Sequence, residues 1–147
     1  MAREKHDDQN IGLLLFYPYR HLEDRVRRRL AELGYDVTPA QGRVFARIGP
    51  HGTRLSDLAA QAQITKPTAG FIVDQLEKAG LVERVPDTTD KRARLVVITS
   101  KGRETLPLAA EEVAAVEAEW TAHVGERRMV ELRRTLTRLR EITDPYQ

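Results

Sequence analysis

Residues 64–103 read ITKPTAGFIVDQLEKAGLVERVPDTTDKRARLVVITSKGR, and the hydrophobic period changes within them. Thr65 is a helix cap with Pro67 in the first turn, and Ile72, Val73 and Leu76 form a buried side at helical spacing. Gly80 stops that helix. Leu81 to Val85 and Arg94 to Thr99 then carry β-branched and alternating apolar residues, separated by the polar run Pro86 to Ala93. The pattern predicts a helix followed by a β-hairpin. Its loop is longer than a tight turn needs, so it should project as a mobile, basic-tipped wing.

Working outward, the turn Pro50-His51-Gly52 precedes a short helix marked by Leu55, Leu58, Ala59 and Ala62, capped by Ser56 or entered at Leu55. Before it, Thr38-Pro39 opens a helix through Val44, Phe45 and Ile48 to Gly49-Pro50. From Ile11 to Leu33 apolar residues recur at 11, 15, 19, 22, 26, 30 and 33, the stripe of a long first helix beside Arg25, Arg27, Arg28 and Arg29. Pro18 should kink that helix or mark its true start, leaving the residues before Tyr17 as a separate turn. Gly34 ends it. Beyond Ser100 a long helix with apolar positions 109, 113, 116, 120 and 124 is interrupted by Gly125, and a second stripe follows at Met129, Leu132, Leu136, Leu139 and Ile142.

The expected fold is mainly α with a small β-hairpin wing, an α+β winged helix-turn-helix spanning residues 1–147 as one domain. Residues 38–103 form the lobe and residues 9–34 and 104–144 the dimerisation helices. An apolar stripe with little of its own domain to cover it packs on the same surface of a second copy. Ile11, Leu15, Trp120, Leu132, Leu136, Leu139 and Ile142 are the expected interface.

Composition narrows the function. The 147 residues include no cysteine, which removes disulfide and thiol chemistry. The apolar stretch Leu13 to Tyr17 is far short of a membrane span, and charged residues follow Met1, so a cytoplasmic chain is expected. His6, His21, His51 and His123 are scattered, no Gly-rich phosphate loop occurs, and no nucleophile and base are placed to converge. Neither an enzyme nor a metal or other cofactor is expected. Charge is uneven: eight Lys and Arg face five Asp and Glu in residues 66–103, against six and nine in residues 104–147. A modestly basic segment beside an acidic tail suits a phosphate-binding module joined to partner-binding helices.

In a winged helix-turn-helix the helix after the short turn lies in the major groove. Thr65, Lys66 and Thr68 supply donors to phosphates at its start, with Ser56 and Ala69 in the same contact set. Gly70 and Gln75 are candidates to lie near base edges, Gln75 pairing adenine bidentately, and Phe71 to press on a thymine methyl. Equally, Phe71 reads as a core aromatic and Gln75 as a solvated residue. In the wing, Asp90 can hold the loop while Arg92 reaches a narrow minor groove, flanked by Lys91 and Arg94.

The stretch from Leu55 to Arg103 closely resembles the MarR family of transcriptional regulators. The resemblance rests on Leu58-Ala59 to Ile64-Thr65-Lys66-Pro67-Thr68, on Val73 to Arg84, on Asp87 through Asp90-Lys91-Arg92-Ala93, and on Leu95 to Thr99 with Lys101-Gly102-Arg103. It implies a triangular homodimer whose winged lobes bind a pseudo-palindromic operator in double-stranded DNA. It also implies release by a small, often aromatic or phenolic effector, usually lifting repression. The sequence departs from the family pattern at Gly42, Gln63, Gly70, Phe71 and Gln75. If the first two helices meet as the resemblance implies, Tyr17, Tyr19, His21 and Arg43 can converge on a ligand; otherwise the tyrosines are interface packing and Arg43 a surface charge. The competing function is a winged-helix protein-interaction module that does not read DNA.

Overall fold

A computed structural model describes residues 9–146. His6, with the rest of residues 1–8 and residue 147 of the expected single domain, lies outside the described residues. The chain forms α1 (Ile11–Glu32), α2 (Pro39–Phe45), β1 (Thr53–Arg54), α3 (Leu55–Gln61), α4 (Lys66–Lys78), β2 (Val82–Pro86), β3 (Arg94–Ile98), α5 (Ser100–Val124) and α6 (Glu126–Thr143). The fold is mainly α with a β wing, as expected.

The lobe is held by one apolar cluster. Val44 and Ile48 from the α2 segment, Leu58 of α3, Ile72, Val73 and Leu76 of α4, and Leu81, Val82 and Val96 at the sheet are all buried together. Helix ends follow local chemistry. Thr38 and Gln41 form a reciprocal capping box with Pro39 in the first turn of α2, and Thr65 Oγ1 accepts from the Thr68 N–H at 3.3 Å to open α4. α4 ends in a Schellman motif: Leu81 N–H reaches Leu76 C=O at 3.0 Å, Gly80 N–H reaches Glu77 C=O at 2.9 Å, and Gly80 takes φ +78°.

Several boundaries differ from those the sequence predicts. α1 is unbroken through Pro18 and starts at Ile11, where Asn10 Oδ1 accepts from Leu13 N–H at 3.0 Å. One absent N–H costs one hydrogen bond in a helix that is otherwise continuous on both sides. α2 stops at Phe45, and Ile48 enters the core from a tighter turn, its N–H bonded to Phe45 C=O at 3.2 Å. α3 begins at Leu55 with Arg54 before it, so Ser56 is not its cap. Gln63, at the turn before α4, is the one non-glycine residue with positive φ, +56°, among the described residues.

β1 was not anticipated. Its two residues pair with β3, Thr53 opposite Val96 and Arg54 opposite Leu95, giving an antiparallel sheet ordered β1-β3-β2. Gly52 permits the approach, because a Cβ there would sit 2.7 Å from Val97 Cγ1. The strands leave Asp87 to Ala93 as the wing loop, with Pro86 opposite Arg94 at its base.

Outside the lobe, α1 packs chiefly on α5, where the Arg25 guanidinium bonds Glu112 at 3.0 Å and Glu119 at 2.6 Å. These carboxylates raise the guanidinium's pKa further, the Glu119 bond most. α6 packs chiefly on α5 and buries none of its own residues. No helix among the described residues is long and apolar enough to cross a membrane.

Candidate nucleic-acid interface

Helical periodicity divides α4 into two faces. Ala69, Ile72, Val73 and Leu76 point into the lobe, while Thr68, Phe71, Gln75 and Lys78 form the exposed stripe. Ala69 is 0% exposed, so its methyl group lies in the core and not at a DNA surface, correcting its place in the expected contact set. Phe71 is 64% exposed and is therefore not a core aromatic. Gly70 is half-buried near Leu55, and its carbonyl accepts from Arg84 Nη2 at 3.4 Å. Gln75 Oε1 accepts from Gln41 Nε2 at 3.0 Å, so it is neither core nor merely solvated.

Thr65, Lys66 and Thr68 are exposed at the first turn of α4. The Thr65 hydroxyl donates to Thr68 Oγ1 at 2.8 Å, which leaves the Thr68 proton and the Lys66 ammonium to serve an external anion beside the helix N-terminus. Ser56 is exposed in the first turn of α3.

The wing is built from inside. Asp87 is 6% exposed, and both of its oxygens are engaged: Oδ1 by the Thr89 N–H at 2.9 Å and hydroxyl at 2.8 Å, Oδ2 by Arg54 Nε at 3.0 Å and Nη2 at 2.8 Å. These bonds, those from Thr89 first, hold the carboxyl down at about 2. Asp90 Oδ1 accepts from Arg92 N–H at 3.0 Å, and Ala93 N–H closes on Asp90 C=O at 3.0 Å. Asp90 is thus a loop builder, and the loop that the sequence predicts as mobile is internally bonded. Lys91, Arg92 and Arg94 stay exposed and outside any ion pair among the described residues.

Two arginines that set this surface are absent from the sequence-based site. Arg54 braces Asp87 from β1, and Arg84 of β2 ties the sheet to α4 through Asp74 at 2.8 Å and Glu77 at 3.4 Å. Both partnerships span elements, so no local spacing announces them.

Of the four residues expected to form a ligand pocket, Tyr19 and Arg43 meet, and Tyr17 and His21 make other contacts. Arg43 Nε donates to Tyr19 Oη at 3.2 Å and to Glu23 Oε2 at 2.8 Å, Tyr19 donates to Glu23 Oε2 at 2.9 Å, and the guanidinium lies 5.8 Å from the Tyr19 ring centroid. Burial, then the Glu23 contact, pushes the Tyr19 phenol up, and the Arg43 bond holds Glu23 down. His21 instead faces Trp120, with ring centroids 6.4 Å apart, and Tyr17 meets Phe16 edge-on at 6.0 Å. Residues two apart on a helix lie about 200° apart, so Tyr17 and His21 cannot share the face of Tyr19.

Ile11, Leu15, Leu132, Leu136, Leu139 and Ile142 are all exposed, Ile142 at 83%, and Trp120 is half-buried. An open groove of about 790 Å³ runs between α5 and α6, with Thr121, Met129 and Val130 in its wall.

Comparison with known proteins places this architecture. Residues 35–93 match the model of the MarR family. The HTH-type transcriptional regulator FarR of Neisseria gonorrhoeae is 32% identical over 144 residues, covering 97% of this chain and 96% of that protein. Among solved structures, the crystal structure of MarR superposes with a TM-score of 0.78 at 25% identity, over 92% of this chain and 98% of that one. NadR in complex with 4-hydroxyphenylacetate superposes with a TM-score of 0.68 at 27% identity, over 89% and 92%.

Proposed function

The chain belongs to the MarR family of transcriptional regulators, and from that premise we propose that it binds a pseudo-palindromic operator in duplex DNA as a homodimer, acting in the cytoplasm as a repressor. The observation that carries this reading is the wing. Its loop spends two carboxylates on its own backbone and on Arg54, and leaves Lys91, Arg92 and Arg94 at the surface with no ion pair among the described residues. Internal bonding fixes the loop's shape before binding, so little ordering entropy is lost when Arg92 enters a minor groove. The Thr68, Phe71 and Gln75 stripe of α4 supplies the major-groove face, with Thr65 and Lys66 at its phosphate end.

Dimerisation is supported by α6, whose Leu132, Leu136, Leu139 and Ile142 are apolar and exposed, together with Ile11 and Leu15 of α1. For release, the site is Tyr19, Glu23 and Arg43 at the meeting of α1 and α2, where a phenolic acid would take the place of the Glu23 carboxylate on Arg43. The phenolic acid bound by NadR supports that ligand class.

The 64% exposed Phe71 favours a second reading, a protein-interaction module docking through α4. Electrophoretic mobility shift with the DNA upstream of the chain's own gene, against a scrambled duplex, tests the two. Preferential retardation of the upstream DNA, relieved by 4-hydroxyphenylacetate, is expected. Equal, feeble retardation of both duplexes favours the interaction module.

A further inference from the structure

Gln75 is held by a directional relay that begins at the N-terminus of α2. The Thr38 backbone N–H donates to Gln41 Oε1 at 3.1 Å, while Gln41 N–H returns to Thr38 Oγ1 at 3.2 Å. Because the Thr38 N–H is only a donor, the atom of Gln41 that meets it is the oxygen, and Nε2 is left facing α4. There Nε2 donates to Gln75 Oε1 at 3.0 Å. An amide NH2 cannot accept, so the atom of Gln75 that meets it is again the oxygen. The relay therefore has one polarity. It turns the Gln75 oxygen toward α2 and leaves the NH2 of a residue on the exposed stripe, with Thr68 and Phe71, free to donate elsewhere.

Resting on the DNA-binding reading, we infer that Gln41 is a positioning residue that makes Gln75 a donor-only reader of base edges, selecting guanine ahead of adenine. A free glutamine pairs adenine bidentately, its oxygen accepting from N6 and its NH2 donating to N7. Here the oxygen already accepts from Gln41, whereas the two N–H groups have no partner among the described residues. Guanine presents two adjacent acceptors, N7 and O6, in the major groove, whereas cytosine presents the N4 donor, which an NH2 repels. The adenine contact expected from the sequence is thereby replaced. Neither Gln41 nor the polarity of its amide is visible in the α4 segment alone.

The test is selection of the full-length protein on a randomised duplex pool, using the wild type, Gln75→Ala, Gln41→Glu and Gln41→Ala. The base position whose preference disappears in Gln75→Ala is the one Gln75 reads. At that position the wild type is expected to favour guanine over adenine by about tenfold, the lower range for a good bidentate contact. Gln41→Glu keeps one oxygen for the Thr38 N–H and turns a second toward α4, so the Gln75 amide flips and the preference inverts to the donor-bearing bases adenine and cytosine. Gln41→Ala frees the amide to pair adenine bidentately and should turn the guanine preference toward adenine, so the inference remains testable if Gln41→Glu is unfolded. A wild type that prefers adenine at that position overturns the inference, as does a guanine preference unchanged in either Gln41 variant. An enriched operator with no position dependent on Gln75 overturns it while leaving DNA binding intact. A wild type that enriches no sequence overturns the DNA-binding reading and the inference together.

Discussion

Arg92 carries its charge on a loop whose turn its own backbone helps to hold, since its N–H is bonded to Asp90 while its guanidinium has no partner among the described residues. Arg92→Ala should therefore remove a DNA contact without reshaping the wing. Anisotropy titrations are expected to show weaker binding across all sequences and a salt slope smaller by about 1, with the dimer unchanged; unaltered affinity would remove Arg92 from the site. Asp87 acts from the opposite side of the same loop. Its carboxyl sits at about 2 against an ordinary 3.8, so the stability it contributes is full above the ordinary value and lost as pH falls through about 2. Asp87→Asn should lower the urea midpoint at pH 7, and the gap from the wild type should close in acid. A gap that persists at pH 2 would mean that packing, not the ionised carboxylate, holds the loop. Thr65, Thr38 and Gly80 were legible because each acts on its own helix end. Arg54 and Arg84 were not, because their partners lie 33 residues away at Asp87 and 10 and 7 residues away at Asp74 and Glu77, on other elements.

Elements with long periodic stripes followed the pattern closely, and α4, the hairpin, α5 and α6 all appear where the apolar spacing puts them. The failures are short or context-bound. β1 has two residues, too few for any alternation, and exists because Gly52 lets the chain close on β3. Pro18 is tolerated because the turns around it in α1 carry the helix past one missing bond. The expected ligand cluster is split by periodicity, since Tyr17 and His21, four residues apart, share one face of α1 while Tyr19, two residues from each, points away from them toward Arg43. Within α2, Gly42 stands in helical conformation with nothing within 4 Å of a built Cβ. Gly42→Ala should raise the free energy of unfolding by about 0.5–1 kcal/mol, read by urea denaturation. A loss of stability would show that the position is crowded in the folded protein.

The whole molecule joins a compact lobe to helices that it does not cover. The lobe core closes around α2, α3, α4 and the sheet, whereas α6 buries none of its residues and α1 exposes Ile11 to Tyr17. A second copy covering these faces accounts for both. Leu136→Glu places a charge in that apolar seam, and sedimentation should show a monomer at concentrations where the wild type is a dimer. A variant that stays dimeric would move the interface elsewhere. Operator binding by that dimer is the central claim, and a salt titration of binding to upstream DNA and to a scrambled duplex, with stoichiometry by sedimentation, tests it most directly. One dimer per site, half-sites about one helical turn apart, and a loss of about 10³-fold or more in affinity between about 50 and about 200 mM salt are expected. Equal affinity for both duplexes, or binding indifferent to salt, would contradict it.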